Sequence, residues 1–324
     1  FTMMLTFALA AWAVKGHPVI ALAATIVSVS LLGFKPTLHR WLRVIEQKEL
    51  YAGIQLLVIS VALLPFLPNK GYGPFNALNP YWIWWMVVLI SGLSFVGYFA
   101  IKLTDERKGT FLTAVTGGLA SSTAVTFSLA QFARLSKKKL FFMGGIMIAS
   151  SIMFVRVAIE VFVVNRALLQ YLWIPLGLMF IGILIGGYWF LVKGDHDNKE
   201  DQELDITNPF KLGLALRFGA LLALILLLSE AVKQWFGDEG IYFLSVASGL
   251  MDVDAITVSL SRMAQNDLSA EVASMGIVLA SATNTLVKGF IFAVIAGWKE
   301  SVKLILFLIA AVIPGILAGL YLIL

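Results

Sequence analysis

Long apolar runs separated by short polar breaks dominate the chain, and no stretch shows the two-residue alternation of a half-buried strand or an outer-membrane barrel. Residues 1–14 and 18–34 are apolar segments split by Lys15, Gly16, His17 and Pro18, a break that predicts a helical hairpin. Residues 35–49, KPTLHRWLRVIEQKE, are basic and amphipathic, with Leu38, Trp41, Leu42 and Ile45 on one helical face, the pattern of a helix lying at a membrane interface. An apolar segment over 50–67 follows, then a loop rich in Pro, Gly and Asn that ends at Asn79-Pro80. Asn as N-cap with Pro at the first helical position predicts a helix start there.

The pattern then occurs twice. Residues 109–133 read GTFLTAVTGGLASSTAVTFSLAQFA and residues 240–264 read GIYFLSVASGLMDVDAITVSLSRMA, and a shift of 131 positions matches nine of the 25, among them Gly118/Gly249, Thr126/Thr257 and Leu129/Leu260. Asn208-Pro209 repeats the helix start. Each repeat therefore comprises an Asn-Pro start, an apolar helix (81–102; 210–231), a short charged loop, the small-residue segment and two further apolar helices (140–164 and 171–192; 272–296 and 303–324). The expected organisation is a membrane part with its basic interfacial helix over 1–49, a connecting helix and loop over 50–78, one repeat over 79–192, an acidic linker over 193–208 and the second repeat over 209–324.

Composition fixes the class. At 60% hydrophobic and 13% charged residues, with a mean hydropathy of +0.90, the chain falls outside the range of soluble domains and predicts an all-α, polytopic transmembrane bundle. Its net charge of +5 reads as cytoplasmic loops rather than nucleic-acid binding. There is no cysteine, which excludes disulfides and thiolate metal sites. None of the three histidines neighbours an acidic pair in the apolar segments; His17 and His196 read as loop residues. HExxH, GxSxG and Walker A patterns are absent, so no enzyme is indicated. Because the chain opens inside an apolar segment, an N-terminal part is expected to precede it.

If both small-residue segments crossed the membrane, the basic residues would divide almost evenly between the two faces. If both dip in and return, the cations of 134–139 and 193–211 join those of 35–48 and 102–108 on one face. The positive-inside rule therefore favours broken or re-entrant segments, and three full crossings per repeat would make the two repeats inverted.

The centres of the two segments differ in chemistry, because Ser121, Ser122 and Thr123 of the first align with Asp252, Val253 and Asp254 of the second. A Gly- and Ser-rich segment at membrane depth is a poor helix, and its unwinding exposes carbonyls. A buried Asp costs roughly 2.5 to 3.5 kcal/mol on insertion scales, and a cation is its natural compensation. Asp252 and Asp254 are thus the expected ligands, with Ser121, Ser122, Thr123, Thr257 and Asn284 as oxygen donors suited to Mg²⁺, Mn²⁺ or Ca²⁺. Met251 adds a thioether that would tilt selectivity toward Mn²⁺, Fe²⁺, Co²⁺ or Zn²⁺, or else packs between helices. Lys288, four residues after Asn284, either neutralises the empty site, couples it to protons, or forms a salt bridge with the acids. Arg156 and Glu160 share that spacing and read first as a pair that neutralises itself, with charge compensation or coupling as the other reading.

With GYGPFNALNP, WMVVLISGLSFVGYFA, GGLASSTAVTFSLA and ASGLMDVDAITVSL, the chain resembles the MgtC/SapB family of bacterial inner-membrane proteins, and among them the longer members that carry a C-terminal domain of unknown function. The resemblance covers roughly residues 50–324, with 1–49 similar to the end of the MgtC-like part. It implies a multi-pass protein of the bacterial inner (plasma) membrane, loosely tied to magnesium stress and divalent-cation handling. The acidic and arginine-bearing signature near the start of MgtC proteins is absent, so nothing that rests on it carries over. Together these readings predict a secondary transporter of divalent metal cations, probed first for proton antiport. No permanent cofactor is expected; the partners are metal ions, protons and the lipid bilayer, and a homodimer is left open. The alternative is a membrane protein that senses cations or regulates a partner without moving anything; a channel is the third reading.

Overall fold

The computed structural model of the chain describes residues 2–16, 21–22, 24–29, 32–33, 47–103, 109–136, 138–194, 212–265 and 268–323. Residues 35–46 of the interfacial helix expected over 35–49, His17, His196, residues 195–208 of the acidic linker and Asn208-Pro209 lie outside the described residues. The chain divides into two compact bodies, 1–50 and 51–324. The first holds α1 (Thr2–Val14) and the first residues of α2 (Gln47–Leu63).

In the second body Asn79 starts α3 (Pro80–Leu103) as expected: its Oδ1 accepts from the Trp82 backbone N–H at 3.2 Å and its Nδ2 donates to Asn69 Oδ1 at 2.9 Å. Then follow α4 (Gly109–Leu135), α5 (Lys139–Val164) and α6 (Leu169–Gly194) in the first repeat. The second repeat has α7 (Leu212–Gly249), α8 (Val253–Met263), α9 (Ala270–Ala296) and α10 (Trp298–Ile323). The charged loop expected after residue 231 is instead helical. One residue bends it, Gly237 at φ +62°, a backbone conformation that glycine adopts without steric cost. Among the described residues there is no strand; the backbone pairing of Tyr72 with Leu78 is an isolated bridge in the loop before α3.

Among the described residues, four helical stretches are long and apolar enough to cross a membrane: Lys139–Val164, Arg166–Gly194, Ala270–Ala296 and Trp298–Leu322. Their outward faces carry large apolar side chains such as Phe162, Trp173, Ile185, Leu306 and Leu317, a surface that suits lipid and not water. Trp173 and Trp189 near the two ends of α6 are about 24 Å apart along its axis, the spacing of membrane-interface aromatics.

Each repeat has one helix break at the equivalent place. Ser121 interrupts α4 with an extended backbone (φ −165°, ψ 103°), and Asp252, 131 residues later, separates α7 from α8 in nearly the same conformation (φ −157°, ψ 137°). The packing behind the breaks is also duplicated. A Cβ on Gly118 would stand 2.6 Å from the carbonyl oxygen of Ala149, and one on Gly249 would stand 2.5 Å from that of Ala280, again 131 positions on. Only glycine permits backbones to approach this closely.

Between the repeats the packing is reciprocal: α4 lies on α9, α8 on α5, α3 on α7 and α6 on α10. Leu129 and Ala130 of α4 join Met147, Met153 and Val157 of α5, Ile256 and Leu260 of α8, and Ile277 and Phe292 of α9 in a continuous core. The two breaks are linked within it through Arg156 of α5.

Candidate functional site at two helix breaks

At each break the C-terminal turn of one helical arm leaves carbonyls without helical partners, and the N-terminal turn of the next leaves N–H groups. Side chains answer both needs. Ser121 Oγ accepts from the Ala124 N–H at 3.3 Å, and Asp252 Oδ1 accepts from the Asp254 N–H at 3.1 Å, so the aligned residues perform the same capping task. The freed carbonyls of Leu119 and Ala120 accept from Arg156 Nη1, both at 3.2 Å, while the carbonyl of Gly249 accepts from Asn284 Nδ2 at 3.0 Å. Each carbonyl end is thus covered by the following spanning helix of its own repeat. In the first repeat the cover is a cation, which suits the negative end of a helix dipole.

Arg156 also crosses between the repeats. Its Nη2 donates to Asp254 Oδ2 in a buried ion pair. Lys288 on α9 is 1% exposed and its ammonium donates to the thioether of Met153 on α5 at 3.2 Å. Glu160, one turn after Arg156, is 0% exposed; its carboxyl lies against that of Asp254, and Arg156 and Asp252 are near enough to act on it electrostatically. The Thr257 hydroxyl is buried and unpartnered. Three acids and two bases therefore act on one another electrostatically inside an apolar core.

This geometry corrects several expectations. Arg156 makes its ion pair with Asp254 and not with Glu160, on which it acts only electrostatically; the guanidinium turns to Asp254 and the carbonyls released at Ser121, a fork of acceptors that a carboxylate one turn away does not match. The acids form no salt bridge with Lys288, which ends on sulfur. Met251 is 73% exposed at the tip of the break and points away from the cluster, and Thr123 is exposed too. Ser122 is buried, and its carbonyl accepts the Thr126 hydroxyl at 2.8 Å. Asp252 is spent on its cap and Asp254 on its ion pair. Among the described residues no group of three or more His, Asp or Glu side chains converges as a ready metal site.

The sequence reading missed Met153 and the three carbonyls. One signal for Met153 existed, since the shift of 131 aligns it with Asn284. The surrounding run is duplicated too, with Gly145, Ile146, Ala149 and Ser150 matching Gly276, Ile277, Ala280 and Ser281.

Comparison with known proteins places the same region in a family. The chain is 38% identical over 204 residues to an uncharacterized protein of Aquifex aeolicus (strain VF5), an alignment that covers 60% of this chain and 86% of that protein. No solved structure matches it. Residues 88–296, which run from within α3 to the end of α9 and contain both breaks and all five charged residues of the cluster, match the family model DUF4010, described as a domain of unknown function. The chain belongs to the DUF4010 family.

Proposed function

We propose that the chain is a secondary transporter of divalent metal cations, coupled to protons and seated in a bacterial inner membrane, with the metal as its substrate. The observation that carries this reading is Asp254: a buried acid at the meeting of two helix breaks, held by a cation from the opposite repeat. Broken helices whose ends meet inside the bundle are the usual construction of a carrier site.

The contacts also support an inverted, re-entrant arrangement. From its break, α4 runs back to Phe132, which meets Phe142 near the start of α5. From Asp254 beside Arg156, α8 runs toward Ser261 and the residues after it, where Asn165 Nδ2 donates to the Ser261 carbonyl at 3.1 Å and Gln265 Nε2 to the Val164 carbonyl at 2.6 Å. The two breaks thus approach the middle of α5 from its opposite ends. Ser245 and Leu260, on the two arms flanking the second break, both lie against Gly276, as arms that enter and return along one helix would.

In this reading the described arrangement is the charge-compensated state. Arg156 holds the acid that a metal ion would take, Lys288 supplies a second positive charge, and Asp252, Asp254 and the Gly249 carbonyl are the hard oxygens available when the metal arrives. The likeness of residues 1–49 to MgtC proteins belongs with this proposal. A second reading, a sensor or regulator that moves nothing, draws support from the closed Arg156–Asp254 pair and the missing third acid ligand.

Reconstituted protein and a metal-sensitive dye decide between them. Transport predicts saturable Mn²⁺ entry into proteoliposomes that is lost in D252N and D254N. Unchanged flux in both variants removes the site, and metal-dependent stabilisation without flux selects the sensor.

A further inference from the structure

We infer that the Sδ atom of Met153 is a ligand of the transported ion, and that it makes this carrier selective for transition metals such as Mn²⁺, Co²⁺ or Cd²⁺ over Mg²⁺ and Ca²⁺. The inference rests on the transport reading and names the substrate class of the same site.

A lysine marks the place. Lys288 is 1% exposed, and its ammonium donates to the Met153 thioether at 3.2 Å. Sulfur is a weak acceptor, so a buried positive charge rests on a soft atom while Asp254 and Asp252 act on it electrostatically. Arg156, one turn after Met153 on the same face of α5, reaches Asp254 as well. Met153, Lys288, Asp254 and Arg156 thus close a ring across α5, α8 and α9, with positive charge set against both a thioether and the acids. A metal ion that replaces the ammonium inherits those neighbours.

The other repeat supplies the contrast. Asn284, 131 positions after Met153, spends its amide on the Gly249 carbonyl. The equivalent duty at the Ser121 break is performed by Arg156, which covers the carbonyls of Leu119 and Ala120. Position 153 is thereby released from capping. Although Met153 belongs to the apolar core, its sulfur is turned to the buried ammonium. Met251, the thioether expected from the sequence, is exposed and turned away.

The chemistry sets the class of ion. Mg²⁺ and Ca²⁺ take oxygen, and a thioether adds nothing for them, whereas it favours softer divalent ions. Asp252, Asp254 and the Gly249 carbonyl alone offer hard oxygens and do not make that distinction.

The test loads the full, solubilised chain with Cd²⁺ and reads its ligands by X-ray absorption. The chain has no cysteine, so any sulfur around the metal comes from methionine. A sulfur shell that is present in wild type and lost in M153L, a swap that conserves volume, is expected. A shell without sulfur, a sulfur shell unchanged in M153L, or no uptake of Cd²⁺ overturns the inference. In proteoliposomes, M153N, which copies Asn284, is expected to lose several-fold of the preference for Mn²⁺ over Ca²⁺; a preference equal to wild type also overturns it. The ligand and the carrier fail separately. A sulfur shell that depends on Met153 without any flux keeps the ligand and removes transport, and flux that is lost in D254N beside a shell of oxygen alone keeps transport and removes the ligand.

Discussion

Arg156 and Asp254, 98 residues apart, form an ion pair that ties the first repeat to the break of the second, while the same guanidinium caps the carbonyls of Leu119 and Ala120 at the break of the first. One side chain therefore holds both interruptions in register.

Removing either partner of this pair has unequal consequences. R156Q leaves Asp254 buried without its cation and uncovers two carbonyls, and is expected to cost about 3 to 5 kcal/mol. D254N leaves the guanidinium two acceptors and costs less. Thermal unfolding in detergent of both variants and of the R156Q/D254N double should show the double to be less destabilised than the sum. Additive losses would mean that the two groups do not interact.

Asp252 can have its charge separated from its capping. Asparagine caps a helix about as well as aspartate, whereas alanine does not. D252A should lose about 1 kcal/mol of stability and D252N almost none, so lost Mn²⁺ flux in a stable D252N reports on the carboxylate alone. Equal melting temperatures for D252A and wild type would contradict the cap.

The duplicated close contacts predict parallel sensitivity. G118A and G249A each push a methyl group against a backbone carbonyl, and overpacking of this kind costs about 1 to 3 kcal/mol. Melting temperatures should fall in both, and more steeply for valine than for alanine. Tolerance of valine at either position would show that the contact is looser than described.

Sidedness tests the inverted arrangement directly, and the absence of cysteine gives a clean background. S136C, in the turn just before α5, and Q265C, beside its end, are expected to react with a membrane-impermeant maleimide from opposite faces of sealed vesicles. Labelling of both from one face would remove the inverted reading.

Much of this is legible in the sequence. The shift of 131 located both breaks, because unwinding there is written locally in glycine, serine and capping residues. Asn79-Pro80 fixed the start of α3 for the same reason. Partners across the repeats were not legible: the spacing of Arg156 and Glu160 suggests a pair on one helix, and nothing local reveals that an acid from the other repeat and two released carbonyls offer the guanidinium a better fork. Met251 misled because its place next to Asp252 says nothing of the direction in which an extended tip projects. The charged stretch after residue 231 reads as a loop by composition, yet a single bend at Gly237 lets the helix continue.

The contacts of Gly118 with Ala149 and of Gly249 with Ala280 leave no clearance between each interrupted segment and the spanning helix that follows it. Neither can slide along its neighbour, so each travels with that helix as one solid piece. Any rocking of the molecule must then slip along the plane between α5 and α8 and its counterpart between α9 and α4. The first of these planes is bridged by Arg156 and Asp254, which makes that bond the latch a moving protein would have to release.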